Sequence, residues 1–293
     1  MGASDDGCRR ALRPSWGIDP FDLVEGFDEL IARDYVVVYT DFAGMGAAGP
    51  DSYLIGSTEG RNVLDIARAA RGLDTGASDR VALWGHSQGG QAVLFAAELA
   101  DSYAPDLDVQ AVAVAAPAVE LTELLNADIG DVSGVTIGAY AFDAYASVYA
   151  DTPGADLDTI LTPAAIAALP KMNDLCLFGQ NTELHEIATP LIDGFLTGDP
   201  GEVEPWASLL AENTPGTARY DIPLFVAQGE TDTLVRPDLT EAFVARQRAL
   251  GTDVTSELIP KTGHGLVALR ALKTMLPWLD RVAPAQGPPG RAG

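Results

Sequence analysis

The sequence predicts an α/β fold: a mostly parallel, doubly wound sheet with a helical insertion. Three observations predict it. Apolar strand-like runs alternate with amphipathic helical segments, one strand-to-helix junction is rich in glycine, and the alternation stops over residues 118–217 before it resumes. Such alternation is typical of parallel sheets that helices cover on both faces. The 293 residues suffice for one large domain with an insertion.

The first elements come before the glycine-rich junction. Asp19-Pro20 is typical of a helix start, and apolar residues then recur at helical spacing up to about Arg33. The β-branched and aromatic run Tyr35–Tyr39 predicts a buried parallel strand that ends in a glycine-rich loop. Ser57 is a candidate cap for the next helix, which Gly72 is expected to end.

The most informative motif is the pentapeptide Gly85-His86-Ser87-Gln88-Gly89. It follows the apolar run Val81–Trp84 and precedes Gln91–Ala100, a stretch rich in helix formers. A strand, a sharp turn with a central serine and a helix form a nucleophile elbow, in which small residues make room for a strained serine and a close helix. The motif predicts that Ser87 is a nucleophile. A glycine-rich turn without chemistry is the alternative.

Beyond the elbow, strand-like and helical patterns continue on both sides of an irregular segment. Residues 118–217 are alanine-rich, acidic and interrupted by Gly and Pro, which predicts a helical insertion over the C-terminal edge of the sheet. The regular elements are predicted as strands at 109–116, 223–228 and 254–259, and as helices at 237–250 and about 266–280. We therefore divide the chain into a first core part (1–117), a lid-like insertion (118–217), a second core part (218–282) and a Pro- and Gly-rich tail (283–293) that is expected to be disordered.

A serine hydroxyl becomes a good nucleophile only when a base takes its proton and a carboxylate orients that base. The chain has three histidines. His264 follows the last predicted strand, at the same edge of the sheet as the elbow, and is the predicted base. His86 is interpreted as a wall of the pocket, because neighbours in the elbow point in different directions. His185 lies in the insertion and is interpreted as a solvated or lid residue.

The acid is expected after the penultimate strand, between the serine and the histidine in chain order. Glu230, Asp232 and Asp238 are all candidates. Asp232 is preferred because its short side chain lies in a tight loop that the apolar pair Leu234-Val235 can anchor. The developing oxyanion needs two backbone N–H donors. One is predicted to be Gln88, at the helix N-terminus, and the second is normally supplied by the loop after the third strand.

Composition excludes several classes of partner. The net charge of −24 argues against nucleic acid and anionic membranes, and no apolar run is long enough to predict a membrane span. Residues 1–6 show neither a basic region nor an apolar core, so no signal peptide is predicted there. We predict neither a metal ion nor a cofactor. Cys8 and Cys176 are either two free thiols, as in a cytosolic enzyme, or a long-range disulfide, as in a secreted one.

Together these motifs resemble the secretory lipase family, the lipase-A-like α/β-hydrolases of yeasts and actinobacteria. The resemblance covers roughly residues 35 to 280. Besides the elbow, it is carried by Tyr39–Gly46, Tyr53–Gly56, Asn62–Arg71, Ala100–Pro105, Gly229–Val235 and Gly263-His264. It implies hydrolysis of carboxylic esters with apolar acyl chains, a lid formed by the insertion, and secretion from the cell.

The resemblance also implies a disulfide and a second oxyanion donor. In the family, the oxyanion loop precedes a Cys-Ala-Pro-Ser motif whose cysteine pairs with one in the lid. Cys8 and Cys176 occupy matching places, although Cys8-Arg9-Arg10-Ala11 departs from the motif after the cysteine. The second donor then falls near Gly2. The chain is accordingly expected to start at the oxyanion loop and to lack the first strands of the fold.

The sequence thus predicts a metal-independent serine esterase or lipase whose substrate is a small-molecule, lipid or polymer ester. A serine peptidase of the same fold is one alternative, since the same triad cleaves amides. A truncated, inactive hydrolase that acts as a binding protein is another. No pattern in the sequence predicts a particular oligomeric state.

Overall fold

A computed structural model describes residues 20–45 and 49–286. In these residues, four parallel strands form one sheet. Neighbouring strands follow one another in chain order across this sheet. They are β1 (Arg80–His86), β2 (Asp108–Ala115), β3 (Leu224–Gly229) and β4 (Val254–Ile259). Each connection is a crossover that contains at least one helix, as parallel pairing requires.

The described residues form ten α-helices. They are α1 (Phe27–Ile31), α2 (Gly56–Gly72), α3 (Gln88–Tyr103), α4 (Leu121–Asp128), α5 (Val132–Val148), α6 (Pro163–Asn173), α7 (Leu177–Ala188), α8 (Trp206–Glu212), α9 (Pro237–Leu250) and α10 (His264–Val282). Short 3₁₀ turns occur at Pro20–Leu23, Leu157–Thr159 and Thr189–Leu191. The helix predicted from Pro20 to about Arg33 was too long, because a 3₁₀ turn occupies Pro20–Leu23 and the α-helix begins only at Phe27. No helix among these residues is both long and apolar enough to cross a bilayer.

The two faces of the sheet bury different side chains, because successive residues of a strand point in opposite directions. Val114 of β2 and Val226 of β3 are buried in a cluster that also contains apolar residues of α3 and α9. Phe225 points to the other face, where its ring packs on Trp278 of α10 with centroids 5.5 Å apart. Helices therefore cover both faces, and the predicted doubly wound α/β-hydrolase architecture is confirmed.

The prediction of a β-strand at Tyr35–Tyr39 was wrong. This segment pairs with no strand among the described residues, and Val36 and Val38 are 43% and 39% exposed. The Tyr35 hydroxyl donates to the carbonyl oxygen of Ala283, which links the start of the segment to the end of the C-terminal helix and not to a strand. A run of β-branched residues favours extended backbone, but a strand also needs a neighbour whose presence the run does not reveal.

The described residues divide into two compact units. One consists of residues 20–40, 59–119 and 215–286, and contains the sheet. The other consists of residues 41–45, 49–58 and 120–214, and is helical apart from one antiparallel bridge between Leu161 and Leu196. Its core includes Phe142 and Trp206, whose rings meet edge to face with centroids 5.4 Å apart. The lid boundaries at 118–217 and the role of that segment stay predictions, and residues 287–293 of the predicted tail lie outside the described residues.

Candidate active site

The turn between β1 and α3 has the geometry of a nucleophile elbow. Ser87 lies between them with φ 56° and ψ −119°, a region that L-residues rarely occupy. Its N–H donates to Ala115 O of β2 at 3.1 Å, and its carbonyl oxygen accepts from Gln91 N and Ala118 N at 3.1 and 3.0 Å. Three backbone hydrogen bonds thus hold the strained serine in place.

At two positions of the elbow, only glycine fits, because a Cβ atom would clash with neighbouring atoms. A Cβ atom on Gly85 would lie 2.1 Å from the carbonyl oxygen of Gly89. A Cβ on Gly90 would lie 2.8 Å from Cβ of Pro117. Gly89 differs, because a Cβ there would meet nothing within 4 Å. The sequence pattern of small residues therefore reflects close packing of α3 on the strand and on the segment after β2.

Ser87, His264 and Asp232 form a continuous hydrogen-bonded chain. Nε2 of His264 lies 2.9 Å from Oγ of Ser87, and Nδ1 lies 2.8 Å from Oδ2 of Asp232. A carboxylate only accepts hydrogen bonds, so Nδ1 carries the proton and Nε2 is left to accept from the serine hydroxyl. This is the arrangement that general-base activation of a serine requires.

Asp232 is held in its loop by the backbone. Its side chain is fully buried, and Oδ1 accepts from the N–H groups of Leu234 and Val235 at 3.0 and 2.9 Å. The loop that carries His264 is tied to this one by a bond from Thr231 N to Thr262 O at 2.9 Å. The carboxylate and the imidazole are therefore placed by two loops that hydrogen-bond to each other.

The other two acid candidates make different contacts. Glu230 Oε2 accepts from the backbone N–H of Lys261 on the exposed surface. Asp238 pairs with Arg236 at 2.8 Å, and this hydrogen bond lowers the pKa of Asp238. Of the three carboxylates, the structure brings that of Asp232 to His264.

His86 packs against the imidazole of His264. The two ring centroids lie 4.7 Å apart with an interplanar angle of 37°. Burial, and next the charge of His264, lower the pKa of His86 to about 4, so this imidazole is neutral near pH 7. Its Nδ1 lies 3.8 Å from Oε1 of Glu25, a carboxyl whose own pKa is raised by burial. His86 thus forms an uncharged wall beside His264.

Gln88 is the first residue of α3, where backbone N–H groups have no acceptor within the helix. Its backbone N–H therefore suits the predicted oxyanion role. Its side-chain Nε2 donates to Oε1 of Glu59 at 2.6 Å. Sequence reasoning missed Glu59, although a signal was present. Glu59 precedes Val63 by four positions and thus lies on the face of α2 that the periodicity marks as apolar.

The remaining predicted site residues lie elsewhere in the chain. Gly2 and Cys8 lie outside the described residues, so the second oxyanion donor and the disulfide stay predictions. Cys176 directly precedes α7 and is partly exposed, and His185 lies in α7. No group of three or more His, Cys, Asp or Glu side chains suited to a metal ion occurs in residues 20–45 and 49–286.

Three known proteins show the relationships of this chain. Lipase A of Moesziomyces aphidis is 40% identical over 80 residues, which are 27% of this chain and 16% of that protein. The trichothecene C-3 esterase of Fusarium sporotrichioides is 25% identical over 89% of this chain and 62% of its own length. The closed-state structure of Candida antarctica lipase A superposes with a TM-score of 0.68 at 18% identity, covering 96% of this chain and 64% of that one.

The chain thus spans less than two thirds of the length of each of these proteins. The structural match at low identity shows a shared fold. A family model described as secretory lipase matches residues 26–281, which include the elbow and both loops of the hydrogen-bonded chain. This protein belongs to the secretory lipase family.

Proposed function

We propose that this protein is a serine carboxylic-ester hydrolase that works through an acyl-enzyme. The observation that carries the proposal is the hydrogen-bonded chain from Ser87 Oγ through both nitrogens of His264 to buried Asp232. The same order of serine, acid and histidine along the sequence is typical of α/β-hydrolases. The family supports the reaction class, since one relative is a lipase and another an esterase.

In the acylation step, Oγ of Ser87 attacks the ester carbonyl carbon while Nε2 of His264 takes its proton. The imidazolium that forms is stabilised by Asp232, 2.8 Å from Nδ1. The carbonyl electron pair moves onto oxygen and then returns as the C–O bond to the alcohol breaks. His264 Nε2 gives the proton to the departing alkoxide, so the alcohol leaves neutral and the acyl group remains on Ser87.

In the deacylation step, water takes the place of the alcohol. His264 removes a proton from it as it attacks the acyl carbon, and the same proton then returns to Oγ of Ser87. The carboxylic acid is released and the resting state is restored. Neutral His86 adds no positive charge beside the imidazolium that forms on His264 in each step.

The oxyanion of each tetrahedral intermediate is proposed to bind the backbone N–H of Gln88. This group stands at the positive end of the α3 dipole, directly after the nucleophile. Gly2 is proposed as the second donor. We further propose that the helical segment 118–217 acts as a lid that sets the preferred acyl length, and that the protein is exported from the cell, as the family suggests.

The test is hydrolysis of p-nitrophenyl esters from acetyl to palmitoyl by the wild-type protein and by Ser87→Ala. Ser102→Ala is the matched control, because Ser102 lies on the same helix with its hydroxyl on the exposed surface. We expect turnover by the wild type and by the control, and its loss in Ser87→Ala. A folded wild type that cleaves peptide anilides but no ester would favour a peptidase. A folded protein that cleaves neither would refute the enzyme proposal.

A further inference from the structure

A carboxyl group lies buried directly behind the elbow. Glu59 of α2 is 0% exposed, and its Oε1 accepts a hydrogen bond of 2.6 Å from Nε2 of Gln88. Burying a carboxyl group costs free energy unless hydrogen bonds or charges compensate it. The hydrogen bond from Gln88 is one such compensation, whereas a hydrophobic residue at the same helical position would serve packing alone.

The partner of Glu59 is the residue whose orientation matters most for the oxyanion. Gln88 follows strained Ser87 and opens α3, and the first helical hydrogen bond of this turn comes from Gln91 N. The peptide N–H of Gln88 therefore has no acceptor within the helix. The hydrogen bond from the Gln88 side chain to Glu59, called the anchor below, restricts how far Gln88 can rotate.

The packing of α2 on α3 brings Glu59 next to the side chain of Gln88. Gly60 follows Glu59, and a Cβ at Gly60 would lie 2.9 Å from Ala96 N and Phe95 C of α3. The two helices approach closely at this glycine, so Glu59 enters the space under the start of α3. Pro117 packs against Gly90 in the same turn of α3. The start of the helix is therefore held from two directions.

We propose that Glu59 is a positioning residue for the oxyanion hole: it holds the Gln88 side chain and thereby fixes the direction of the Gln88 backbone N–H. The inference rests on the proposed ester hydrolysis. The negative charge on the carbonyl oxygen develops only in the transition state, so a misaimed donor weakens transition-state binding more than substrate binding. Loss of the anchor lowers kcat and leaves KM nearly unchanged.

The test compares Glu59→Leu, which removes the acceptor, with Glu59→Gln, which keeps an acceptor oxygen of similar position. We expect Glu59→Leu to lower kcat by about tenfold to a hundredfold while KM stays within about twofold. Glu59→Gln is expected to restore most of the rate. Affinity for an alkyl boronic acid, which forms a tetrahedral adduct with the serine, is expected to fall with kcat.

Two further variants keep the test decisive. Gln88→Met removes the Nε2 donor from the other side, and it replaces Glu59→Leu as the test if that variant does not fold. The double variant is expected to be no slower than either single one. Glu98→Gln is the matched control on α3, since Glu98 accepts from Tyr220 and Gly216. This control is expected to lower stability and leave kcat unchanged.

The outcomes separate this inference from the proposed function. Wild-type protein without any ester turnover overturns both. Wild-type turnover that Ser87→Ala abolishes, together with folded Glu59→Leu or Gln88→Met of unchanged kcat, overturns the role of Glu59 alone. A loss in which KM rises and kcat holds also overturns it, because that pattern reports a defect in substrate binding.

Discussion

The Oγ atom of Ser87 lies 2.9 Å from Nε2 of His264, although 177 residues separate the two in the chain. Ser87 directly follows β1, and His264 follows β4, the strand at the opposite end of the order β1-β2-β3-β4. Carboxyl ends of parallel strands meet at one edge of a sheet, and the loop after β3 adds Asp232 there. The fold thus brings together three residues that are distant in sequence.

Replacing Asp232, the proposed orienting acid, should remove most of the activity without unfolding the protein. In Asp232→Asn, the side-chain amide can donate to Nδ1 of His264, which favours the tautomer whose Nε2 carries the proton. That nitrogen then no longer accepts from Ser87. We expect kcat for a p-nitrophenyl ester to fall by about 10³–10⁴.

The control for this substitution is Asp238→Asn, in an exposed carboxylate paired with Arg236. Its kcat should stay within about twofold of the wild type, as exposed ion pairs contribute little. Folding of both variants is checked by circular dichroism. An Asp232→Asn protein that keeps a tenth or more of the wild-type rate would contradict the assigned role of this carboxylate.

His86 should make the folded state sensitive to acid. Burial lowers its pKa from 6.5 to about 4, so the native state holds this imidazole neutral where the unfolded chain binds a proton. The resulting stability is fully present above pH 6.5 and is lost as pH falls towards 4. Between pH 7 and pH 5, the wild type should lose about 1–2 kcal/mol more of its free energy of unfolding than His86→Gln does.

Urea denaturation of both proteins at the two pH values measures this difference. Glu25 has a raised pKa and acts in the opposite direction, and it lies 3.8 Å from His86. The comparison is therefore repeated with Glu25→Gln in both proteins, which removes its contribution. Equal losses in the wild type and the variant would show that His86 is protonated in the folded state near pH 5.

The elbow glycines should differ sharply in their tolerance of a methyl group. In Gly85→Ala, the added Cβ would lie 2.1 Å from the carbonyl oxygen of Gly89, so the backbone must move, and we expect a loss of about 3 kcal/mol. In Gly89→Ala, the Cβ meets nothing, and the higher helix propensity of alanine should stabilise the protein by up to about 1 kcal/mol. Urea denaturation compares them, and equal effects of the two substitutions would be inconsistent with the close packing.

A buried amide should contribute to the helical unit. Asn213 Oδ1 accepts from the backbone N–H of Gly56 at 2.8 Å, and its Nδ2 donates to the hydroxyl of Tyr149 at 2.8 Å. Asn213→Ala leaves the buried Gly56 N–H without this acceptor, which should cost about 1–3 kcal/mol in thermal or urea unfolding. Asn126→Ala, at a surface bond to Asp199, is the control and should change stability little. An Asn213→Ala protein as stable as this control would show that the hydrogen bond from Gly56 N to Asn213 does not stabilise the protein.

The sheet and most helices were predictable because their signals are local. β4 and α9 begin and end where the apolar runs and proline placed them, at Val254–Ile259 and Pro237–Leu250. The start of α3 was predicted three residues late, because Gly89 and Gly90 have low helix propensity, while the elbow packing requires them inside the helix. The local sequence pattern thus predicted the helix α3, while packing against other parts of the chain decides where it begins.

What the sequence could not supply depends on distant partners. The Tyr35–Tyr39 run indicates extended backbone, yet whether a strand lies beside it is decided elsewhere in the chain. α2 begins at Gly56, one residue before the predicted cap Ser57, because Asn213 supplies the acceptor from 157 residues away. The periodicity of α2 places Glu59 on its apolar face, but only the packing of α2 on α3 reveals the hydrogen bond to Gln88.

The most direct test of Ser87 as the nucleophile is to trap it with a p-nitrophenyl alkylphosphonate and to map the adduct by mass spectrometry. We expect release of one equivalent of p-nitrophenol and the mass of one phosphonyl group on the peptide that contains Ser87. Ser87→Ala should give neither, and Asp232→Asn should react far more slowly. An adduct on another residue, or a folded wild-type protein that the phosphonate does not label, would show that Ser87 is not the nucleophile.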